Sequence, residues 1–269
     1  MLKVESYEQT QLFTRQIRQQ RKGFVTNFFW DANKHPYWLS EGSLQYEESE
    51  ECVLMAHQNE GFINLYYIAI SFDAVAAMIK SLQKEQDIVV DIVCKGEGDI
   101  EQEAFRQMGF LTYRCLYRMN HVGLLAQADW LKDDGVNYGT KEDAKLVQQS
   151  LLKDFDPLCE QLPSLKELED FAERLQLLII KDGDKLCGFL IAEITGVSWY
   201  LRYWYTSPNY RNLGIGAKLL RASLIDGINT KRQMFWVISD NKNAIKRYEH
   251  YGFTRENMND YVMIKRKQL

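Results

Sequence analysis

The spacing of apolar residues predicts alternating helices and strands along the whole chain. Phe13 and Ile17 stand at helical spacing among polar side chains, which predicts an amphipathic first helix. The apolar run at 87–94 predicts a buried strand, and the paired apolar runs on either side of Gly183 predict a hairpin. The aromatic segment 28–42 contains Pro36 and Gly42 and is predicted to be an irregular loop. This order indicates a mixed α/β protein.

Two segments repeat one pattern, which is helix, glycine, phenylalanine and strand. They are AFRQMGFLTYRCLYRMN and KRYEHYGFTRENMNDYVMIK, and their glycines, Gly109 and Gly252, are 252 − 109 = 143 residues apart. Since this separation is about one domain length, it favours two related domains in tandem. We predict one domain over residues 1–130 and a second over residues 131–269.

Composition excludes several classes of function for this chain of 269 residues. The formal net charge is −4 and the basic residues are scattered, so nucleic acid is not an expected partner. We expect no membrane association and a cytoplasmic location, because no signal peptide or apolar span is present. The five cysteines include no C-x-x-C pair, and the histidines show no ligand spacing. No metal is therefore expected.

Candidate chemistry begins at the segment YTSPNYRNLGIGAKLL, which joins a predicted strand to a predicted helix. Gly214 and Gly216 stand where the helix begins. The first N–H groups of a helix have no intrahelical partner, and glycine lets a phosphate approach the backbone closely. The pattern suits a diphosphate, although a lone G-x-G also occurs in ordinary strand-to-helix turns.

Two motifs give this segment a specific resemblance. The run from Arg211 to Gly216 looks like the R-x-x-G-x-G loop of the GNAT superfamily of acetyltransferases. The run from Asn241 to Phe253 resembles that family's N-x-x-A-x-x-x-Y-x-x-x-G-F stretch. The resemblance covers about residues 136–269. It implies an α/β (α+β) fold of two tandem GNAT-like domains, each a mixed, mostly antiparallel twisted sheet flanked by helices.

The resemblance also implies a role for each matching residue. Acetyl-coenzyme A is the implied cosubstrate, and Tyr248 matches the tyrosine that protonates the leaving thiolate in many members. The residues that match cofactor-binding positions are Tyr205, Thr206, Arg211, Asn212, Leu213, Gly214, Ile215, Gly216, Ala217 and Asn241.

The general base is not evident, because the strand WYLRYWYT has no carboxylate where many family members carry a glutamate. Glu193, near the end of the preceding strand, is the nearest acidic candidate. A chain of water molecules is an alternative. An alkyl ammonium has to lose a proton before it attacks a carbonyl, so some proton acceptor is required.

The first half of the chain looks like a degenerate copy. Alignment through the glycines puts Phe105 opposite Tyr248 and Gly98 opposite Asn241, and the first half has no counterpart of the R-x-x-G-x-G loop. We interpret it as structural or as shaping the acceptor site.

The function expected is transfer of an acetyl group from acetyl-coenzyme A to an amine of a small molecule or peptide. The alternatives are a non-catalytic acyl-coenzyme A-binding regulator or scaffold, and a tandem aminoacyl transferase. The R-x-x-G-x-G loop speaks against the aminoacyl transferase, since such enzymes typically lack it. The sequence is compatible with a homodimer and does not identify the acceptor.

Overall fold

The structure is a computed structural model, and it describes residues 1–82, 86–125 and 135–267. The strands are β1 Leu2–Lys3, β2 Val25–Thr26, β3 Leu44–Glu48, β4 Cys52–Gln58, β5 Phe62–Ala69, β6 Asp87–Cys94, β7 Leu111–Val122, β8 Asn137–Tyr138, β9 Leu177–Asp182, β10 Lys185–Thr195, β11 Ser198–Thr206, β12 Arg232–Ile238 and β13 Thr254–Lys265. The helices are α1 Tyr7–Gln19, α2 His35–Glu41, α3 Phe72–Ser81, α4 Asp99–Gln107, α5 Lys141–Asp154, α6 Pro157–Glu160, α7 Leu165–Glu173, α8 Ile215–Asp226 and α9 Lys242–His250. The predicted α/β class with a mostly antiparallel sheet is confirmed.

Contacts divide the chain into two compact units. The first unit is Met1–Leu116 together with the C-terminal segment that begins at Met258, and the second is Tyr117–Asn257. This division differs from a cut at 130/131, because β13 pairs antiparallel with β6, with Asn259 opposite Cys94 and Lys265 opposite Ile88. The predicted boundary at 130/131 lies outside the described residues and stays a prediction.

The repeat noticed in the sequence is one local structure built twice. α4 and α9 each end shortly before a glycine in the left-handed region, Gly109 at φ +86° and Gly252 at φ +89°. Each glycine is followed by a buried phenylalanine, Phe110 or Phe253, and then by a strand. A left-handed glycine after a helix is a common helix-ending signal, which explains why the sequence pattern was readable.

In the first unit, a gap between two parallel strands is filled by the unit's own chain. β5 and β6 pair only from Phe62–Asn64 with Asp87–Val89. Beyond that point β2 pairs with β5, and the Asn27 side chain bridges both strands. Its Oδ1 accepts a hydrogen bond from the Tyr67 N–H at 2.7 Å, and its Nδ2 donates to the carbonyls of Leu65 at 3.0 Å and Asp91 at 3.3 Å.

The aromatic segment 28–42 was wrongly predicted to be an irregular loop. Its residues His35–Glu41 form α2, with Pro36 in the first turn. α2 is followed by Gly42 in the left-handed conformation. A proline in the first turn of a helix and a glycine just after its last residue are ordinary signals of helix boundaries, so this helix was predictable from the sequence.

The second unit orders its strands β7-β12-β11-β10-β9-β8. β10 is antiparallel to both β9 and β11, whereas β11 is parallel to β12. One face of the sheet packs on α8 and α9, and the other packs on α5 and α7. The two layers fix the strands whose ends form the candidate site. Within the described part of the chain, no helix is long and apolar enough to cross a membrane.

Candidate functional site

The candidate site is the place where β11 and β12 part. Their parallel pairing covers only Ser198–Tyr200 with Arg232–Met234. On the other side of β11, the register with β10 shifts between Ile191 and Ala192, so that Arg202 is an extra residue. Such a β-bulge bends its strand. Residues 202–206 therefore run beyond the β11–β12 ladder and border what we call the β11–β12 gap.

A turn with left-handed residues connects β11 to α8. Asn212 has φ +66° and Gly214 has φ +76°, and Gly214 is the N-cap of α8. A Cβ at Gly214 would meet no atom within 4 Å, so its conformation and not crowding calls for glycine there. The residues predicted to bind cofactor between Tyr205 and Ala217 thus lie in the end of β11, in this turn and in the start of α8.

The N-terminus of α8 has no side-chain cap. α5, α6, α7 and α9 each have a capping side chain that accepts a hydrogen bond from a first-turn N–H, whereas α8 has none and has no acidic residue in its first turn. The first N–H groups of a helix carry the positive end of the helix dipole and suit an anion. This end of α8 therefore fits a diphosphate.

Two glycines let α8 approach the strands closely. A Cβ on Gly216 would lie 3.2 Å from Thr206 Oγ1, and the Trp204 Nε1 donates a hydrogen bond to the Gly216 carbonyl at 3.1 Å. A Cβ on Gly188, in β10, would lie 2.9 Å from Ile215 Cγ2 in the first turn of α8. The hydrogen bond holds the first turn of α8 against the end of β11, and the two glycines leave room for this close approach.

Tyr248 lies on α9 in an aromatic cluster. Its ring centroid is 4.1 Å from that of Phe235 and 5.6 Å from that of Trp204. Burial raises the pKa of the Tyr248 phenol above its usual value; Arg247 opposes this rise and Glu160 adds to it. A phenol of raised pKa is neutral at neutral pH and still carries the proton that it could donate.

Asn241 has a clear structural role at the other side of the β11–β12 gap. It follows β12 and is the N-cap of α9, where its Oδ1 accepts a hydrogen bond from the Ala244 N–H at 3.2 Å. Because α9 carries Tyr248, this cap helps to fix the helix on which the candidate acid stands.

The first candidate base, Glu193, is held in an ion pair. Its Oε1 accepts a hydrogen bond from the Arg202 Nε at 2.7 Å and its Oε2 accepts one from Nη2 at 3.3 Å. The Glu193 side chain is only 6% exposed. To accept a proton from a ligand, Glu193 has to break at least one of its two hydrogen bonds with Arg202.

A second carboxylate, Glu160, was not identified from the sequence. It ends α6, and the Tyr203 hydroxyl donates hydrogen bonds to the backbone carbonyls of Glu160 at 3.0 Å and Gln161 at 2.9 Å. Burial raises the pKa of Glu160 to about 6. No sequence signal marks this residue, because a single carboxylate at the end of a four-residue helix has no motif around it.

Comparison with known families agrees with this geometry. Residues 144–253 match the model of the Acetyltransferase (GNAT) family. This stretch contains β11, the turn to α8 and α9 with Tyr248. A search of curated protein sequences found no match. Within the described residues, no group of three or more His, Cys, Asp or Glu side chains could hold a metal ion.

Solved structures share the fold at low sequence identity. A tandem GNAT protein from the clavulanic acid biosynthesis pathway is 10% identical, with a TM-score of 0.63, and the alignment covers 100% of this chain and 98% of that one. A GCN5-related N-acetyltransferase from Sphaerobacter thermophilus is 11% identical, with a TM-score of 0.55 and coverage of 87% and 86%. A GNAT family acetyltransferase from Colwellia psychrerythraea is 14% identical, with a TM-score of 0.54 and coverage of 97% of each chain. At these identities the likeness establishes the fold.

Proposed function

We propose that this protein transfers an acetyl group from acetyl-coenzyme A to an amine of a small molecule or peptide, because residues 144–253 match the model of the Acetyltransferase (GNAT) family. The observation that carries the proposal is the uncapped N-terminus of α8 beside the end of β11. It combines an anion-binding helix end with a strand edge outside the β11–β12 ladder.

In this proposal the chain binds acetyl-coenzyme A mainly through its backbone. The N–H groups from Asn212 to Ala217 hold the diphosphate, and Arg211 adds positive charge nearby. The edge of β11 at Tyr205 and Thr206 holds the pantetheine arm, and Asn241 borders it from the β12 side. When bound, acetyl-coenzyme A supplies a thioester carbonyl and a thiol leaving group.

Tyr248 is the proposed proton donor to the departing sulfur. Its buried, neutral phenol keeps its proton at neutral pH, which a general acid requires. The aromatic contacts with Phe235 and Trp204 restrict the ring and therefore the direction of the hydroxyl. Glu193 stays a candidate base, and its pair with Arg202 counts against it.

The first test is thermal unfolding with and without acetyl-coenzyme A. A ligand at about 100 times its dissociation constant should stabilise the protein by about 2.7 kcal/mol. S-acetylpantetheine is the matched control, because it has the thioester but lacks the diphosphate. We expect stabilisation by the first ligand and much less by the second at equal concentration. Equal effects, or none, would refute the role of the turn.

Turnover separates the enzyme from its alternatives. Thiol release from acetyl-coenzyme A in the presence of a panel of amines should be faster with an acceptor than without one. Stabilisation by acetyl-coenzyme A with no thiol release for any amine would favour a regulator or scaffold. The missing carboxylate on β11 is the observation that keeps that alternative in place.

A further inference from the structure

Glu160 lies in a segment that is held against β11 just beyond the point where β11 leaves β12. The β11–β12 pairing ends at Tyr200, and Tyr203, three residues on, donates its hydroxyl to the carbonyls of Glu160 and Gln161. Gln161 has φ +42°, a conformation that is unfavourable for a residue with a Cβ and that is concentrated at functional sites. The tyrosine contacts hold this strained segment in place.

The Glu160 carboxylate has one engaged oxygen. Its Oε2 accepts a hydrogen bond from the Asp156 N–H at 2.7 Å. Its Oε1 accepts none from the residues that the structure describes. Oε2 therefore fixes the side chain, and Oε1 is available to accept a proton from a ligand.

The titratable neighbours of Glu160 come from three elements. Asp156 precedes α6, Tyr203 belongs to β11 and Tyr248 belongs to α9. The charge of Glu160 contributes to the raised pKa values of both tyrosines, for which burial is the larger cause, and Arg202 and Arg247 oppose the rise at Tyr203 and Tyr248 respectively. Glu160 is thus a carboxylate that acts electrostatically on the candidate acid.

We propose that Glu160 is the general base of the transfer reaction and takes the proton from the acceptor's ammonium group. This inference rests on the proposed function. The N–H bond of the ammonium breaks, its electron pair stays on nitrogen, and the proton goes to Glu160 Oε1. Nitrogen then bonds to the carbonyl carbon as the carbon–sulfur bond breaks. The departing sulfur takes the proton of Tyr248, and the second nitrogen proton, which is lost as the amide forms, is returned through solvent to the Tyr248 phenolate. The proton on Glu160 then passes to solvent, so one proton is released overall.

The structure favours Glu160 over Glu193 for this step. Both Glu193 oxygens are bound by Arg202, whereas Glu160 has no ion pair among the described residues. Burial also raises the pKa of Glu160 to about 6, close to the pH at which a base must accept and release protons. In this proposal, the carboxylate that is missing from β11 is replaced by that of Glu160, whose backbone carbonyl is bound by Tyr203 of β11.

The test compares Glu160→Gln with wild type on two acceptors of similar size. Benzylamine is an ammonium at pH 7.5 and has to lose a proton before it attacks, whereas phenylhydrazine is neutral there and can attack without that step. Glutamine keeps an oxygen for the Asp156 N–H. We expect Glu160→Gln to lose at least about 100-fold in thiol release with benzylamine, the usual contribution of a general base, and less than about threefold with phenylhydrazine. Glu173→Gln, on the exposed surface of α7 where Glu173 pairs with Lys141, is the matched control.

The stability of the ligand-free protein provides a second readout. When folding raises the pKa of a carboxyl group, the folded protein loses stability as the pH rises from the unfolded pKa to the folded pKa. Wild type should therefore lose stability relative to Glu160→Gln between about pH 4.5 and 6, the interval from the usual value to the raised one. A flat difference over this interval would contradict the environment assigned to Glu160.

The outcomes distinguish failure of the two proposals. Equal losses on both amines, or no loss on benzylamine, would overturn the assignment of Glu160 as the base. If wild type binds acetyl-coenzyme A but does not turn over benzylamine, the assignment of Glu160 as a base for alkyl amines would be overturned. No stabilisation of wild type by acetyl-coenzyme A would instead overturn the proposed function itself.

Discussion

The left-handed conformation of Gly214 can be tested against a glycine with the same constraint elsewhere in the second unit. Gly214 has φ +76° and Gly183, between β9 and β10, has φ +58°, and a Cβ at either position would meet no atom within 4 Å. Replacement of either glycine by alanine therefore adds no clash and forces the same unfavourable conformation. Each substitution should lower the free energy of unfolding by about 1–2 kcal/mol.

Only Gly214→Ala should also weaken ligand binding, because relaxation at Gly214 moves the first N–H groups of α8. A tenfold weaker affinity reduces the stabilisation by acetyl-coenzyme A from about 2.7 to about 1.4 kcal/mol, when the ligand stands at about 100 times the wild-type dissociation constant. Urea unfolding of both variants with and without the ligand measures both effects. Equal ligand stabilisation of Gly214→Ala and Gly183→Ala would refute the reasoning.

Three other changes have defined outcomes. Tyr248→Phe should lower turnover by about 100-fold or more with acetyl-coenzyme A affinity within a few-fold, checked by steady-state kinetics and calorimetry. Asp260→Asn should stabilise the protein increasingly as the pH rises above about 4, at up to about 1.4 kcal/mol per pH unit. The reason is that burial and the nearby Asp91 raise the pKa of Asp260; urea unfolding at pH 5 and pH 8 tests the slope. Asn27→Ala should lower the free energy of unfolding by about 3 kcal/mol, because the buried Tyr67 N–H loses its acceptor. Calorimetry should find one acetyl-coenzyme A bound per chain both before and after this change.

Local signals explain what could be predicted from the sequence. The turn from β11 to α8, the helix with Tyr248 and the left-handed Gly252 depend on residues within a few positions of one another, so spacing alone reveals them. The same holds for the hairpin at Gly183. The sequence analysis missed helix α2 although Pro36 and Gly42 mark its boundaries, because the aromatic residues around Pro36 suggested an irregular loop.

Long-range choices explain what could not be predicted. β7 and β13 follow the same helix-glycine-phenylalanine pattern, and nothing local decides which of them pairs with β6. The bridging amide of Asn27 is 40 residues from Tyr67, and Tyr203 is 43 residues from Glu160. Contacts at such separations depend on the complete fold, so the candidate base and the filled gap became visible only in the structure.

Comparison of the two copies of the repeat distinguishes a packing role from a chemical role at one position. Phe105 and Tyr248 each stand four residues before the left-handed glycine and pack among aromatic rings: Phe105 against Tyr67 and Phe110, and Tyr248 against Phe235 and Trp204. Phe105 demonstrates that a phenyl ring is sufficient to fill this place. The hydroxyl of Tyr248 adds a desolvation cost that packing does not require. The hydroxyl is found in the second unit, whose β11–β12 gap adjoins the uncapped helix α8. It is missing from the first unit, where Asn27 bridges the corresponding gap between β5 and β6. A catalytic hydroxyl should have this distribution.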